Sequence, residues 1–80
     1  MEESLAETLY DLVRAEQFVA FSILFASGQR FKIKSRDHIG LGPVIRSDVE
    51  KLKTVIVWDD AGQWRSVYMA AILKIERSER

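Results

Sequence analysis

Eighty residues make one domain and leave no room for a second, and at this size roughly 60% of the unfolded chain's surface can be buried. A hydrophobic share of 48%, with only four Gly and one Pro, excludes a disordered chain, and the absence of Cys excludes disulfide frameworks and thiolate metal sites. Net charge is zero but unevenly placed: residues 1–17 carry five acids and one base, residues 27–53 seven bases and three acids, and residues 54–80 four of each. No whole-chain attraction to nucleic acid follows.

The amino-terminal stretch from Met1 to Glu7 is acidic and lacks the basic and apolar regions of a signal peptide. The longest apolar run, Phe18 to Ala26, falls far short of the ~20 residues a membrane span needs, so the expectation is a soluble, cytoplasmic chain with no membrane partner. Ser4 followed by Glu7 has the spacing of a capping box and predicts a helix over residues 4–15. Leu5, Leu9, Leu12 and Val13 recur on one face of it, to lie against the rest of the fold or against a neighbour.

From Phe18 the pattern turns to strands: Phe18 to Phe25 is aromatic and β-branched, and Arg30 to Arg36 alternates with a period of two. A three-residue loop, Ala26-Ser27-Gly28, with Gly28 at positive φ, sets Ile23 opposite Phe31 and Phe21 opposite Ile33. The pair Gly40 and Gly42 predicts the sharp bend that turns a barrel corner. Arg46 to Lys53 reads as a polar insertion in which Ser47 and Glu50 repeat the capping-box spacing and suggest one helical turn. A second hairpin, Thr54–Trp58 and Gln63–Tyr68 about Asp59-Asp60-Ala61-Gly62, brings Trp58 and Trp64 together. Met69-Ala70-Ala71 reads as a 3₁₀ connection to a last strand, Ile72–Ile75. The chain is thus expected to be mainly β, one domain over residues 1–80, with an N-terminal α-helix followed by a five-stranded, strongly bent antiparallel barrel of the SH3/Sm type.

This order of elements resembles the Sm-like (Hfq-like) barrel family over nearly the whole chain. The stretch Phe18 to Ile33 is also similar to that of short bacterial proteins of unknown function. Gly28 and Asp37 stand for the glycine and aspartate of the first Sm motif, at shorter spacing, and Gly40 stands where the family has an RNA-binding asparagine. Tyr68 to Ile72 does not reproduce the second motif. The resemblance therefore implies the fold and edge-strand or ring association rather than the family's RNA site.

Arg30, Lys32, Lys34 and Arg36 alternate with Phe31 and Ile33, which on one extended strand makes a basic stripe ~20 Å long, able to track phosphates. The plainer reading is a solvated strand face whose cations discourage wrong pairing, and zero net charge favours it. Trp58, Trp64 and Tyr68 are candidates for stacking bases, but in so small a barrel they are expected in the core. His38 reads as a loop residue, since no Cys or second His can complete a zinc site. Asp59-Asp60 reads as turn chemistry, and Gly40-x-Gly42 lacks the third glycine and following helix of a phosphate loop. No enzyme, cofactor or small-molecule substrate is called for. The leading expectation is an interaction or structural module that associates with copies of itself or a partner protein through strand edges and the Leu5, Leu9 and Leu12 face. The other class is a single-stranded nucleic-acid binder using Arg30, Lys32, Lys34 and Arg36.

Overall fold

The computed structural model describes residues 4–77, so Met1, Glu2 and Glu3 of the acidic stretch lie outside the described residues. Helix α1, Leu5–Arg14, begins where the capping box puts it: the Ser4 hydroxyl accepts from the Glu7 N–H (3.1 Å), and the Glu7 carboxylate accepts from the Ser4 N–H (3.0 Å). Leu9 and Val13 are buried, while Leu5, Tyr10 and Leu12 pack against the core from its margin.

Two three-stranded antiparallel sheets follow, in the orders β2-β1-β6 and β3-β4-β5. The first hairpin, β1 (Phe21–Phe25) with β2 (Arg30–Ile33), has the expected register, with Phe21 opposite Ile33 and Ile23 opposite Phe31. Gly28 turns its loop at φ 97°, a conformation that a Cβ would strain. Strand β3 is two residues, Ile39–Gly40; β4 (Thr54–Trp58) and β5 (Trp64–Tyr68) form the second hairpin, with Trp58 directly opposite Trp64. A 3₁₀ turn, Met69–Ala71, leads into β6, Ile72–Arg77, which returns to pair with β1.

Three expectations are corrected. The described residues form six strands rather than five, because the long second strand breaks: β2 stops at Ile33, and Arg36–His38 form a 3₁₀ turn before β3. The chain also turns at the glycines, where Gly42 stands at φ 80° just after β3, and Gly40 serves a further purpose. A Cβ there would stand 3.4 Å from the Trp58 ring, so glycine lets that ring lie close to the backbone. Among the described residues the two sheets do not join into a closed barrel, since β2, β3, β5 and β6 each pair on one side only. The expected turn in the polar insertion is present as a 3₁₀ helix, Arg46–Lys51, but its cap is Ile45 and no side chain caps it.

The core lies between the sheets and under α1. Leu9, Phe21, Ile23, Ile33 and Val57 are fully buried, Val55 nearly so, and Ile39, Leu41, Val67 and Ile72 complete the cluster. Burying side chains of this kind contributes about 1.5–3 kcal/mol each.

Candidate functional site

The four cations of the second strand do not form one stripe. Arg30 and Lys32 lie in β2, whereas Lys34 and Arg36 lie beyond its end. Arg30 grips Glu76 of β6, two strands away, with Nε 2.8 Å from Oε1. Lys34 Nζ sits 2.7 Å from Asp60 in the β4–β5 turn. Arg36 turns to the end of α1, where its Nε donates to the Val13 carbonyl (2.9 Å), its Nη2 to the Ala15 carbonyl, and its guanidinium lies 5.7 Å from the centre of the Phe18 ring. Lys32 has no ion-pair partner among the described residues and is the one cation of the four left to solvent.

The hydrogen bond from Arg30 holds the Glu76 carboxyl below its ordinary range, and that from Lys34 does the same for Asp60. Groups whose folded pKa is depressed favour the folded state while ionised, and that contribution is lost as pH falls through the lowered values. Stability is therefore expected to hold above about pH 5 and to fall at lower pH. Urea midpoints measured across the acid range should show the decline, and Arg30→Ala together with Lys34→Ala should flatten it. An unchanged acid slope in the double variant would remove these two pairs as its cause.

The helix face Leu5, Leu9 and Leu12 is turned to the chain's own core, with Leu9 wholly buried. Arg46 clamps the same helix from the far side through Asp11, at 3.0 Å. His38 is half-buried in the turn after β2, with its Nδ1 3.0 Å from the Ser35 hydroxyl. Asp59 accepts from the Ala61 and Gln63 N–H groups (2.9 and 3.0 Å), which is turn chemistry. Among the described residues no three His, Asp or Glu side chains gather as a metal site, and no helix is long and apolar enough to cross a membrane.

Each sheet has two edge strands, β2 and β6 in one and β3 and β5 in the other, and the outer sides of β5 and β6 are the ones that the last hairpin and the last strand present. The Asp59 N–H donates to the Gln63 carbonyl and the Met69 N–H to the Lys53 carbonyl. Antiparallel alternation between these two bonds turns Arg65 and Val67 toward β4 and leaves the N–H and C=O groups of Trp64, Ser66 and Tyr68 pointing away from it. No described strand pairs with the Trp64 and Ser66 groups, while the Tyr68 carbonyl caps the 3₁₀ turn that follows. The same alternation, counted from the Phe25 N–H bond to the Gln29 carbonyl, engages Lys74 and Glu76 with β1 and leaves Ile75 and Arg77 facing outward.

The three aromatics expected in the core lie outside it: Trp64 is 64% exposed and Tyr68 69%, and Trp58 is half-buried over Gly40. Period-two reading of β5 contains the signal, because Val67 must face inward and Trp64, Ser66 and Tyr68 then share the opposite face. On β6, Leu73 is 61% exposed. A groove of about 300 Å³ runs beside β5, walled by the β1–β2 loop on one side and by Val67, Tyr68 and Ala71 on the other. No protein-family model matches the chain, and no curated protein matches it.

Proposed function

We propose that this chain is a non-enzymatic interaction module that assembles with copies of itself through the free edges of its two sheets. The observation that carries the reading is β5: five residues long, unpaired on its outer side, and bearing two large exposed aromatics. Native edges are ordinarily blunted by charge, proline or coverage, and one that carries Trp and Tyr is built to be covered. β6 offers a second free edge in the other sheet. Two different edges on one chain, here β5 and β6 out of the four edge strands of the two sheets, suit head-to-tail pairing, which closes into a ring when the rotation allows.

The finer reading of the fold as SH3/Sm-like is supported by the 3₁₀ turn before β6 and by the return of β6 to β1. Pairing of β5 with a neighbour's β6 would complete from outside the barrel that one copy leaves open. A cytoplasmic location accords with the absence of Cys. Nucleic-acid binding has less support, because three of the four cations proposed for it are engaged with Glu76, Asp60 and the end of α1.

Ser66→Pro tests the reading with little harm to the fold. The Ser66 N–H points away from β4, so proline removes an edge donor and breaks no bond within the chain. Light scattering on the eluting wild-type chain should give a multiple of the chain mass, and the variant should give the mass of one chain with its circular dichroism intact. A wild-type chain that remains single at every concentration would end the proposal.

A further inference from the structure

Among the described residues, the two sheets meet at β2 across a seam that no strand pairing closes. From beyond the end of β2, Lys34 reaches Asp60 in the β4–β5 turn, and the Arg65 guanidinium of β5 lies 5.8 Å from the centre of the Phe31 ring. A cavity of about 230 Å³ lies in this seam, walled by β2 on one side and by the end of β4 and the turn after it on the other. The rings of Phe31 and Trp58 give it apolar surface.

Most of the charge around the cavity is already committed. Arg30 holds Glu76, Lys34 holds Asp60, and the Asp59 carboxylate accepts from the Ala61 and Gln63 N–H groups. Lys32 lines the same cavity and has no ion-pair partner among the described residues. Antiparallel alternation, counted from the Phe25 N–H bond to the Gln29 carbonyl, engages Phe31 and Ile33 with β1 and turns the Lys32 N–H away from it. One residue therefore brings an uncommitted ammonium and an outward backbone donor beside two aromatic rings.

We propose that this seam cavity binds a small aromatic carboxylate, with its oxygens on the Lys32 ammonium and N–H and its ring against Trp58. A carboxylate between a cation and an N–H gains charge-assisted bonds, the stronger kind. The single uncommitted cation matches a single negative charge. A phosphate ester carries nearly two, and the second would meet the carboxylates of Asp59 and Asp60, which line the same cavity. The volume lies below the roughly 300–1,000 Å³ of sites for drug-sized ligands, which sets the ligand at about one or two rings. The site uses neither the β5 nor the β6 edge, so it stands apart from how copies of the chain associate.

Heteronuclear NMR of the full chain, titrated with benzoate and separately with phenyl phosphate and benzylamine, tests the proposal. Benzoate is expected to move the Lys32 amide and Trp58 indole N–H signals to saturation while the Trp64 indole signal, on the far hairpin strand, stays still. Phenyl phosphate should bind more weakly and benzylamine not at all. Lys32→Gln breaks no ion pair among the described residues, so its spectrum should keep the wild-type dispersion while benzoate binding weakens by about tenfold or more. Benzoate that moves neither signal, or that binds Lys32→Gln as well as the wild type, overturns the proposal. Tighter binding of phenyl phosphate or of benzylamine overturns it too, by giving the cavity to a ligand of different charge.

Discussion

Phe21→Ala is expected to lower the stability of the chain by about 3–5 kcal/mol, the usual range for removing a fully buried phenylalanine. Phe21 has no exposed surface, faces Ile33 across the β1–β2 hairpin, and lies with its ring centre 5.8 Å from that of Phe18. A domain of this length has a total stability of roughly 4–12 kcal/mol, so the variant should be partly or wholly unfolded at room temperature. Urea unfolding followed by circular dichroism reads it directly, with a midpoint lowered by roughly 2 M or more. Phe21→Leu, which keeps most of the volume, should cost less than about 1.5 kcal/mol. Equal effects from the two would mean that the aromatic volume at this position is not what holds the two sheets to the helix.

Loss of Arg36 should have the next largest effect, about 2 kcal/mol, reduced from the full value of two charge-assisted bonds because the guanidinium is partly in water. The last turn of any helix leaves carbonyls without intrahelical donors, and here no glycine cap follows: Ala15 is extended, with φ −61° and ψ 145°. Arg36 supplies the missing donors from a turn that follows β2, and brings a positive charge to the negative end of the helix dipole. Arg36→Ala should therefore speed hydrogen exchange in the last turn of α1 before it unfolds the sheets. Arg36→Lys should recover little, since a single ammonium cannot span two carbonyls as a planar fork does. Full recovery by lysine would show that charge alone matters.

Much of the local structure was legible in the residues themselves. Ser4 with Glu7, Gly28 in its loop, and the alternation of Phe21 and Ile23 against Phe31 and Ile33 each carry a local physical rule, and each element came out in its expected place. The interruption after Ile33 was not legible, because the 3₁₀ turn that follows it is tied by Arg36 to a helix end more than twenty residues earlier. Period two alone cannot distinguish a cation facing solvent from one reaching across the fold, so Arg30, Lys34 and Arg36 read as equals of Lys32. The exposure of Trp64 and Tyr68 was hidden for the opposite reason: composition argues for burying aromatics, and only the inward position of Val67 determines which face they occupy.

The pairing of β1 with β6 also bears on how the chain comes into being. β1 is the central strand of its sheet, and its second neighbour arrives only when Ile72 to Arg77 have been added. On a ribosome, α1 and the first hairpin are complete long before that, with the Ser22 and Leu24 side of β1 bare and part of the helix's packing surface still missing. Long-range pairings of this kind are slow to form and expose sticky intermediates. A nascent chain would pass through an interval in which its earliest strand is open to any passing edge, including the finished β5 of an older copy.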